Sequence, residues 1–227
     1  MSLILSIETA TRVCSVALHQ EGVLLASQEL FLEKSHSGLL TQLIQEVTTN
    51  CDMSLSDLDA VAISKGPGSY TGLRIGTSTA KGLCYGLDIP LIGIDTLQAM
   101  GFGMRRFNVN DALLCPMIDA RRMEVYCLVM DSSGELKEKT QARIIDESSF
   151  SEYLDNRKMI FFGDGAHKGV KLWGDRPNVQ YIKDIFPSAI YVGHLAYECY
   201  QKEHFEDLAY FEPFYLKDFR AIKPKVS

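Results

Sequence analysis

Short apolar runs that end at polar turns recur along the first part of the chain. Residues 3–7 form a nearly continuous apolar run that ends at Glu8, and residues 13–18 form another. A Gln-Glu-Gly turn at residues 20–22 leads into a third run, residues 23–30. Runs of this length bounded by turn residues predict strands, and the short turn predicts an antiparallel hairpin.

The next segment has the spacing of an amphipathic helix, with Thr and Gln opposite an apolar face. The residues of that apolar face are Leu39, Leu40, Leu43, Ile44 and Val47. The elements predicted after it are a strand at residues 60–63, a second helix, a strand at residues 91–94 and a short helix from Thr96 towards residue 107.

The same order of elements then repeats. Residues 113–118 form an apolar run that ends at Asp119, as the first run ended at Glu8. The elements that follow are strands at residues 124–130, 138–145 and 159–162, a turn at residues 131–134 and a short helix at residues 150–154. The sequence therefore predicts a duplicated α/β unit, with a boundary near residues 105–112 and a cleft between its halves. Ligands of such sheets usually bind at the strand ends.

The last part of the chain predicts one more helix and a docked tail. Residues 188–202 have a helical pattern, and residues 212–217 are too rich in aromatic side chains for a free linker. We expect this tail to pack on the folded chain.

A glycine-rich segment at residues 64–83 joins the predicted strand at residues 60–63 to the second helix. Its Gly-Pro-Gly sequence at residues 66–68 favours a sharp turn, and Ser69 and Thr71 are the candidate N-cap residues.

One side of this second helix is almost without side chains, because Gly72, Gly76 and Ala80 recur at every fourth position. Glycine inside a helix costs roughly 1 kcal/mol relative to alanine, so the pattern indicates that another backbone packs very close. Tight packing is the favoured interpretation. A phosphate-cradling loop at the helix N-terminus is the alternative, although neither a Walker motif nor G-x-G-x-x-G spacing is present.

Composition narrows the class of protein. The chain has 227 residues, a formal net charge of −6 and a pI near 5.4, which argue against a broad phosphate-binding surface of its own. Its six cysteines are scattered without Cys-x-x-Cys spacing, so we expect buried free thiols in a reducing compartment. No window approaches the ~18 apolar residues of a membrane span. The expected location is the cytoplasm.

Five residues at the two predicted strand ends are the candidate cleft contacts: Glu8, Thr9, Asp119, Arg121 and Arg122. The two carboxylates can hold Mg²⁺ through water or act as a general base, and the arginines can bind phosphate through bidentate hydrogen bonds. The alternatives are that each carboxylate caps its own turn and that the arginines form surface ion pairs.

The pattern for metal-dependent or nucleophilic catalysis is weak. His36 lies near a predicted helix N-terminus, but Leu40 stands at the position where a second histidine of an H-x-x-x-H pair would be. Ser64, Ser69 and Ser78 have no histidine nearby in sequence, and the chain has no Gly-x-Ser-x-Gly elbow.

Four segments of the chain together resemble the TsaB family, also called YeaZ. They are I-L-S-I-E-T-A-T at residues 4–11, S-H-S at residues 35–37, G-P-G-S-Y-T-G-L-R-I-G at residues 66–76 and D-A-R-R-M-E-V-Y at residues 119–126. The similarity extends nearly end to end, including a Pro-x-Tyr-Leu-basic tail at residues 213–217.

The resemblance implies the duplicated actin-like/Hsp70-like (ASKHA) superfold, with two RNase H-like halves of which the second is reduced. On this basis residues 1–105 with residues 186–210 form the first domain and residues 106–185 the smaller second one. Residues 211–227 form a C-terminal tail.

The resemblance also implies a function. Such proteins are bacterial subunits of the machinery that adds threonylcarbamoyl to the adenosine next to the tRNA anticodon. The catalytic paralogue, TsaD, carries an H-x-x-x-H metal site on the matching helix, where this chain has His36 and Leu40. The family member is then a non-catalytic scaffold, which forms a homodimer alone and a heterodimer with the paralogue. A third subunit, the TsaE-like ATPase, also takes part, and tRNA is contacted only indirectly.

By the same resemblance, the partner surface lies on the helices at residues 36–49 and 71–85. The residues expected at this interface are His36, Leu40, Leu43, Thr71, Gly72, Ile75, Gly76, Thr79, Ala80 and Leu83. We expect no cofactor on this chain alone, and ATP only at a subunit interface, near Arg121 or Arg122.

Two enzyme activities are the alternatives. A glycoprotease-like peptidase requires a metal or nucleophile, and a small-molecule kinase of the same superfold requires a complete nucleotide cleft. About 75 residues in the second half are short for such a cleft.

Overall fold

A computed structural model describes residues 1–31 and 38–217. The strands of its first half are β1 (Leu3–Glu8), β2 (Val13–Gln20), β3 (Val23–Phe31), β4 (Ala60–Gly66) and β5 (Leu91–Asp95). The helices are α1 (Leu40–Thr49), α2 (Tyr70–Leu87) and α3 (Thr96–Arg105).

The first sheet has the strand order β3-β2-β1-β4-β5. Strands β1, β2 and β3 pair antiparallel, as the hairpin turn predicts, whereas β4 and β5 are parallel to β1. Strand β1 is central and buried on both faces, which explains its nearly unbroken apolar sequence.

The second half repeats this arrangement. Its strands are β6 (Leu113–Asp119), β7 (Glu124–Met130), β8 (Leu136–Ile144), β9 (Met159–Phe162) and β10 (Val179–Ile182). Their order is β8-β7-β6-β9-β10, with an antiparallel meander followed by two parallel strands, so each strand matches one strand of the first sheet. The predicted duplication is confirmed, and two sheets of this RNase H-like order form the actin-like superfold.

The helices of the second half are much shorter, namely α4 (Ser151–Leu154) and α5 (Val170–Trp173). The last helix, α6 (Ala189–Gln201), returns to the first sheet, where Val192 and Ala196 pack with Ile4 and Ile92. The second half is therefore reduced in its helical layer and not in its sheet.

Helix α3 joins the two halves through an apolar core. Its buried Leu97 and Met100 pack with Leu114 of β6 and Phe162 of β9. The acidic residue that ends β5, Asp95, caps this helix by accepting hydrogen bonds from two backbone N–H groups.

Sequence patterns missed two elements. Strand β10 has four residues of which none is fully buried, and α5 is a single turn, so neither has a clear periodicity. The thiol prediction is confirmed for the six cysteines, which are all free. Cys14, Cys84, Cys115 and Cys127 are buried.

The predicted docking of the tail is confirmed as far as Lys217. Glu206 forms an antiparallel bridge with Leu91 of β5, and the Phe214 N–H donates to the Lys65 carbonyl at 2.7 Å. The backbone of this segment thus lies on the folded chain.

Candidate functional site

Helix α2 starts on the backbone of the loop that follows β1. Ser69 is its N-cap, since the Ser69 hydroxyl accepts from the Gly72 N–H at 3.3 Å; Thr71 lies inside the helix. The Ser69 N–H donates to the Ala10 carbonyl at 2.6 Å. A backbone oxygen of the chain itself therefore lies where a phosphate-cradling loop would place its ligand.

The small residues of α2 face the first sheet. A Cβ added to Gly72 would lie 2.1 Å from the Thr9 carbonyl oxygen, and one added to Gly76 would lie 2.3 Å from Thr9 Oγ1. The Thr9 hydroxyl also donates to the Gly72 carbonyl at 2.8 Å. The packing interpretation of this stripe is confirmed. The phosphate-cradle alternative stays a prediction, and it has to do without the Ser69 N–H, which is bonded to Ala10.

Half of the residues expected at the partner interface are buried within the chain. They are Leu40, Leu43, Gly72, Gly76 and Ala80. A side chain enclosed by its own core has no surface left for a partner, so the expectation that these residues contact one is corrected.

The opposite face of α2 is open. Thr71, Arg74 and Ser78 are exposed there, and a Cβ added to Gly82 or Gly86 would meet no atom within 4 Å. Tyr85, on the same face, is 83% exposed. We call this surface the outer face of α2. The backbone is accessible along this face at Ser78, Gly82 and Gly86, because these residues are exposed and have small or no side chains.

Three further expected interface residues lie at the edge of this outer face. Ile75, Thr79 and Leu83 are half-buried, and Ile75 and Leu83 pack partly on the core that contains α1. His36 lies outside the described residues. For these four residues and Thr71, contact with a partner stays a prediction.

The strip of Ser78, Gly82 and Gly86 was not predicted from the sequence. Helix α2 has two stripes of small residues at spacing four, and they lie on different faces of the helix. The apolar residues of the helix could have separated them. Leu73 and Cys84 are in phase with the Gly72 stripe, which therefore faces the core.

The first strand end is closed. Glu8 and Thr9 are 0% exposed, and Glu8 Oε1 accepts from the Ala10 N–H at 2.5 Å. Burial raises the pKa of the Glu8 carboxyl to about 7, against the hydrogen bonds of Ser64 and Ala10, which lower it. Glu8 caps its own turn, and the expectation that Glu8 and Thr9 contact a nucleotide in the cleft is corrected.

The second strand end is polar and open. The side chain of Asp119 is 37% exposed, and its Oδ1 accepts from Lys168 Nζ at 2.7 Å and from the Arg121 N–H at 2.5 Å. Partial burial raises the pKa of Asp119, but the hydrogen bonds from Lys168 and Arg121 outweigh it and hold the pKa below its ordinary value.

Arg121 and Arg122 form the tip of the hairpin between β6 and β7, and both are exposed. Their φ angles are +70° and +50°, in the left-handed region that disfavours side chains other than those of Gly, Asn and Asp. The turn is closed by the Ala120 N–H, which donates to the Glu124 carbonyl at 3.1 Å. The Arg121 and Arg122 side chains thus project from a strained turn.

Residues 1–31 and 38–217 contain neither a cluster of metal ligands nor a membrane-spanning helix. No three His, Cys, Asp or Glu side chains come close enough together to hold a metal ion. No helix in this part of the chain has the length and hydropathy needed to cross a lipid bilayer.

Comparison with known sequences gives consistent matches. Residues 31–218 match the sequence model of a family described as TsaD: tRNA N6-adenosine threonylcarbamoyltransferase. The Bacillus subtilis protein named tRNA threonylcarbamoyladenosine biosynthesis protein TsaB is 34% identical over 70% of each chain. The protein of the same name from Haemophilus influenzae is 30% identical over 95% of this chain and 93% of its own length.

A solved structure has the same fold. YeaZ from Pseudomonas aeruginosa superimposes with a TM-score of 0.80 at 25% sequence identity. The match covers 95% of this chain and all of that protein (100%).

Proposed function

This chain belongs to the TsaB family of tRNA threonylcarbamoyladenosine biosynthesis proteins, and we propose that it acts there as a non-catalytic scaffold. In this role it completes and activates a catalytic TsaD-like paralogue, and it carries out no chemical step itself. The observation that carries the proposal is the difference between the two faces of α2. One face packs on the first sheet, and the opposite face is exposed.

The closed face of α2 argues against a ligand site in the first half. At the N-terminus of α2 the Ser69 N–H donates to the Ala10 carbonyl, and Thr9 fills the space beside Gly72 and Gly76. A phosphate bound at a helix N-terminus needs backbone N–H groups that are free to donate to it. Here the same groups stabilise the chain.

The open face of α2 favours a helical partner. Two exposed glycines, Gly82 and Gly86, allow a partner helix to approach the backbone closely, and Tyr85 beside them is a candidate hot-spot side chain. The partner is the paralogue in the complex and a second copy of this chain when it is alone.

The remaining assignments follow from the same role. The net charge of −6 is unsuited to gripping tRNA alone, so tRNA contact is indirect. The TsaE-like ATPase is the third subunit of the proposed complex. The chain binds no cofactor alone. If ATP binds, it does so at a subunit interface near Arg121 and Arg122, in the cytoplasm.

Reconstitution tests the catalytic part of the proposal. The purified chain, mixed with ATP, threonylcarbamoyl-adenylate and unmodified tRNA, should give no modified adenosine, and adding the catalytic paralogue should start transfer. Modification by the isolated, metal-stripped chain would contradict the scaffold role. Cleavage of a glycoprotein or phosphorylation of a small molecule by the chain alone would instead favour the peptidase or kinase alternative.

A matched pair of substitutions tests the interface. Ser78→Arg places a long charged side chain on the outer face of α2, whereas Ser151→Arg makes the same change at an exposed position of α4. We expect Ser78→Arg to weaken association with the paralogue at least tenfold, about 1.4 kcal/mol, in a titration followed by size-exclusion chromatography. Equal affinities for the two variants would mean that the partner binds elsewhere.

A further inference from the structure

The tail from Glu206 onwards follows the first half. The Glu206 N–H donates to the Leu91 carbonyl at 2.9 Å, and the Glu206 carboxylate accepts from Lys65 Nζ at 3.3 Å. Further along, the Phe214 N–H donates to the Lys65 carbonyl at 2.7 Å. Lys65 therefore holds the tail at two points eight residues apart.

Aromatic contacts continue this path towards the N-terminus of α2. The ring of Tyr215 lies 5.0 Å from that of Tyr70, and the Arg74 guanidinium lies 4.8 Å from the same Tyr70 ring. A cavity of about 520 Å³ remains between the tail and the Lys65–Glu206 pair. Between the two Lys65 contacts, Phe211 is buried in the core of the first half, and Lys81 Nζ donates to the Phe211 carbonyl at 3.1 Å. The tail is thus fixed to the first half as far as Tyr215.

Two residues after Tyr215, the tail reaches the second half. Lys217 Nζ donates to the Ala120 carbonyl at 3.2 Å and forms a close ion pair with the Glu124 carboxylate. Ala120 and Glu124 are the residues that close the arginine turn between β6 and β7. The tail, which is bound to the first half, therefore also contacts the turn at the open strand end of the second half.

This contact differs in kind from the one made by α3. Leu97 and Met100 of α3 join the halves through a buried apolar core. The side chains of Lys217 and Glu124 are 38% and 22% exposed, so water and salt reach their ion pair. Ion pairs of this kind are weak and screened by salt, whereas apolar cores are not.

We propose that residues 206–217 form a reversible latch between the two halves of the molecule. The contacts of Lys217 with Ala120 and Glu124 are the ones that form and break, and the contacts of Lys65 keep the tail on the first half. With the latch closed, the turn at residues 120–124 is held against the first half. With the latch released, the turn that carries Arg121 and Arg122 keeps its contacts within the second half, including the bond from Lys168 Nζ to the Glu124 carbonyl at 2.8 Å, but loses this tie to the first half. The latch is a property of the isolated chain and does not depend on the proposed scaffold role.

Zero-length crosslinking with a carbodiimide tests whether the latch closes. The reagent couples a Lys amine to a carboxylate in direct contact, forming an amide, and mass spectrometry identifies the linked peptides. We expect a Lys217–Glu124 link at low salt that falls severalfold in 1 M NaCl, where the Debye length is about 3 Å. The Lys65–Glu206 contact is the internal control, since it fixes the tail to the first half. A Lys65–Glu206 link without a Lys217–Glu124 link would overturn the latch.

Hydrogen exchange of the full chain tests what the latch does. Lys217→Met should speed exchange of peptides covering residues 119–126 roughly twofold to fivefold, the range for a half-exposed ion pair, and leave peptides within α2 unchanged. Lys202→Met, at an exposed position of the first half, is the matched control. If Lys217→Met and a chain ending at Pro213 both exchange like the control at residues 119–126, the latch does not restrain the turn.

Discussion

The two halves of the molecule have one strand order, but they use the end of the first strand in opposite ways. In the first half Glu8 is fully buried and caps its own turn, and α2 continues for 18 residues over that turn. In the second half Asp119 stays open beside Lys168, and the helices shrink to single turns. The sheet order was duplicated, whereas the chemistry of the strand end was not.

The difference indicates that the two halves of the chain have different roles. In the proposed role, the long helix over the closed strand end is the surface that a partner contacts. The short helices of the second half leave Asp119, Arg121 and Arg122 exposed, at the position proposed for a ligand at a subunit interface. Three predictions test this contrast, in order of decreasing effect.

The largest effect is expected where the closed half is tightest. Gly76→Leu would push a side chain into Thr9 Oγ1, 2.3 Å from the added Cβ, so it should destabilise the fold by ~3 kcal/mol or more. Gly82→Leu, in the same helix but open to solvent, should leave the melting temperature of the monomer unchanged or raise it, because leucine is the better helix former. The proteins are compared at a concentration where both are monomeric, since loss of the proposed dimer would also lower the melting temperature. Thermal unfolding followed by circular dichroism distinguishes them. Equal melting temperatures would contradict the assignment of the inner and outer faces.

The next effect depends on pH. The pKa of Glu8 is about 7 in the folded chain, above its ordinary 4.5, so its contribution to stability is complete below pH 4.5 and is lost as the pH rises through 7. Glu8→Gln removes this loss, and at pH 8 it should stabilise the fold by up to about 3 kcal/mol, the value of a 2.5-unit shift. The measurement is denaturant unfolding at pH 4.5 and pH 8.

Asp119→Asn is the matched control in the open half. The pKa of Asp119 is lowered, so its carboxylate stabilises the fold above the ordinary pKa, and that contribution is lost as the pH falls. The control should therefore destabilise slightly at pH 8, by less than about 1 kcal/mol for an exposed group. Stabilisation of both variants at pH 8 would mean that the two strand ends do not differ in the way described.

The smallest effect is expected at the arginine turn. Arg122 has a φ of +50°, and asparagine tolerates this region better, so Arg122→Asn should stabilise the second half by roughly 0.5 kcal/mol. Arg157→Asn, at another exposed position without a positive φ, is the control. A drop in stability for Arg122→Asn alone would show that its side chain, despite the strain, stabilises the turn.

The sequence was sufficient for most strands because each is a local apolar run. Glu124–Met130 and Met159–Phe162 were predicted with the bounds that the structure has, and the repeated order of elements predicted the duplication. Strand Val179–Ile182 was not predicted because it is short and only half-buried, so its sequence pattern resembles that of a loop.

The candidate site was harder to predict because its properties arise from tertiary packing. The spacing of Gly72, Gly76 and Ala80 predicted a close approach, but it did not reveal which surface approaches. Nothing local to Glu8 distinguishes a buried carboxylate from a cleft carboxylate such as Asp119. The left-handed turn at Arg121 and Arg122 is equally invisible, since arginine carries no turn preference.

The bridge between Glu206 and Leu91 has a consequence for the protein in a crowded solution. Strand β5 is at an edge of the first sheet, and a bare edge offers unpaired N–H and C=O groups to the sheets of other molecules. Here the Glu206 N–H donates to the Leu91 carbonyl of this edge, and the side chains of Glu206 and Phe211 lie against Gly93 in the middle of the strand. The segment that follows the last helix thus covers part of this edge and leaves fewer of its backbone groups open to edge-to-edge pairing.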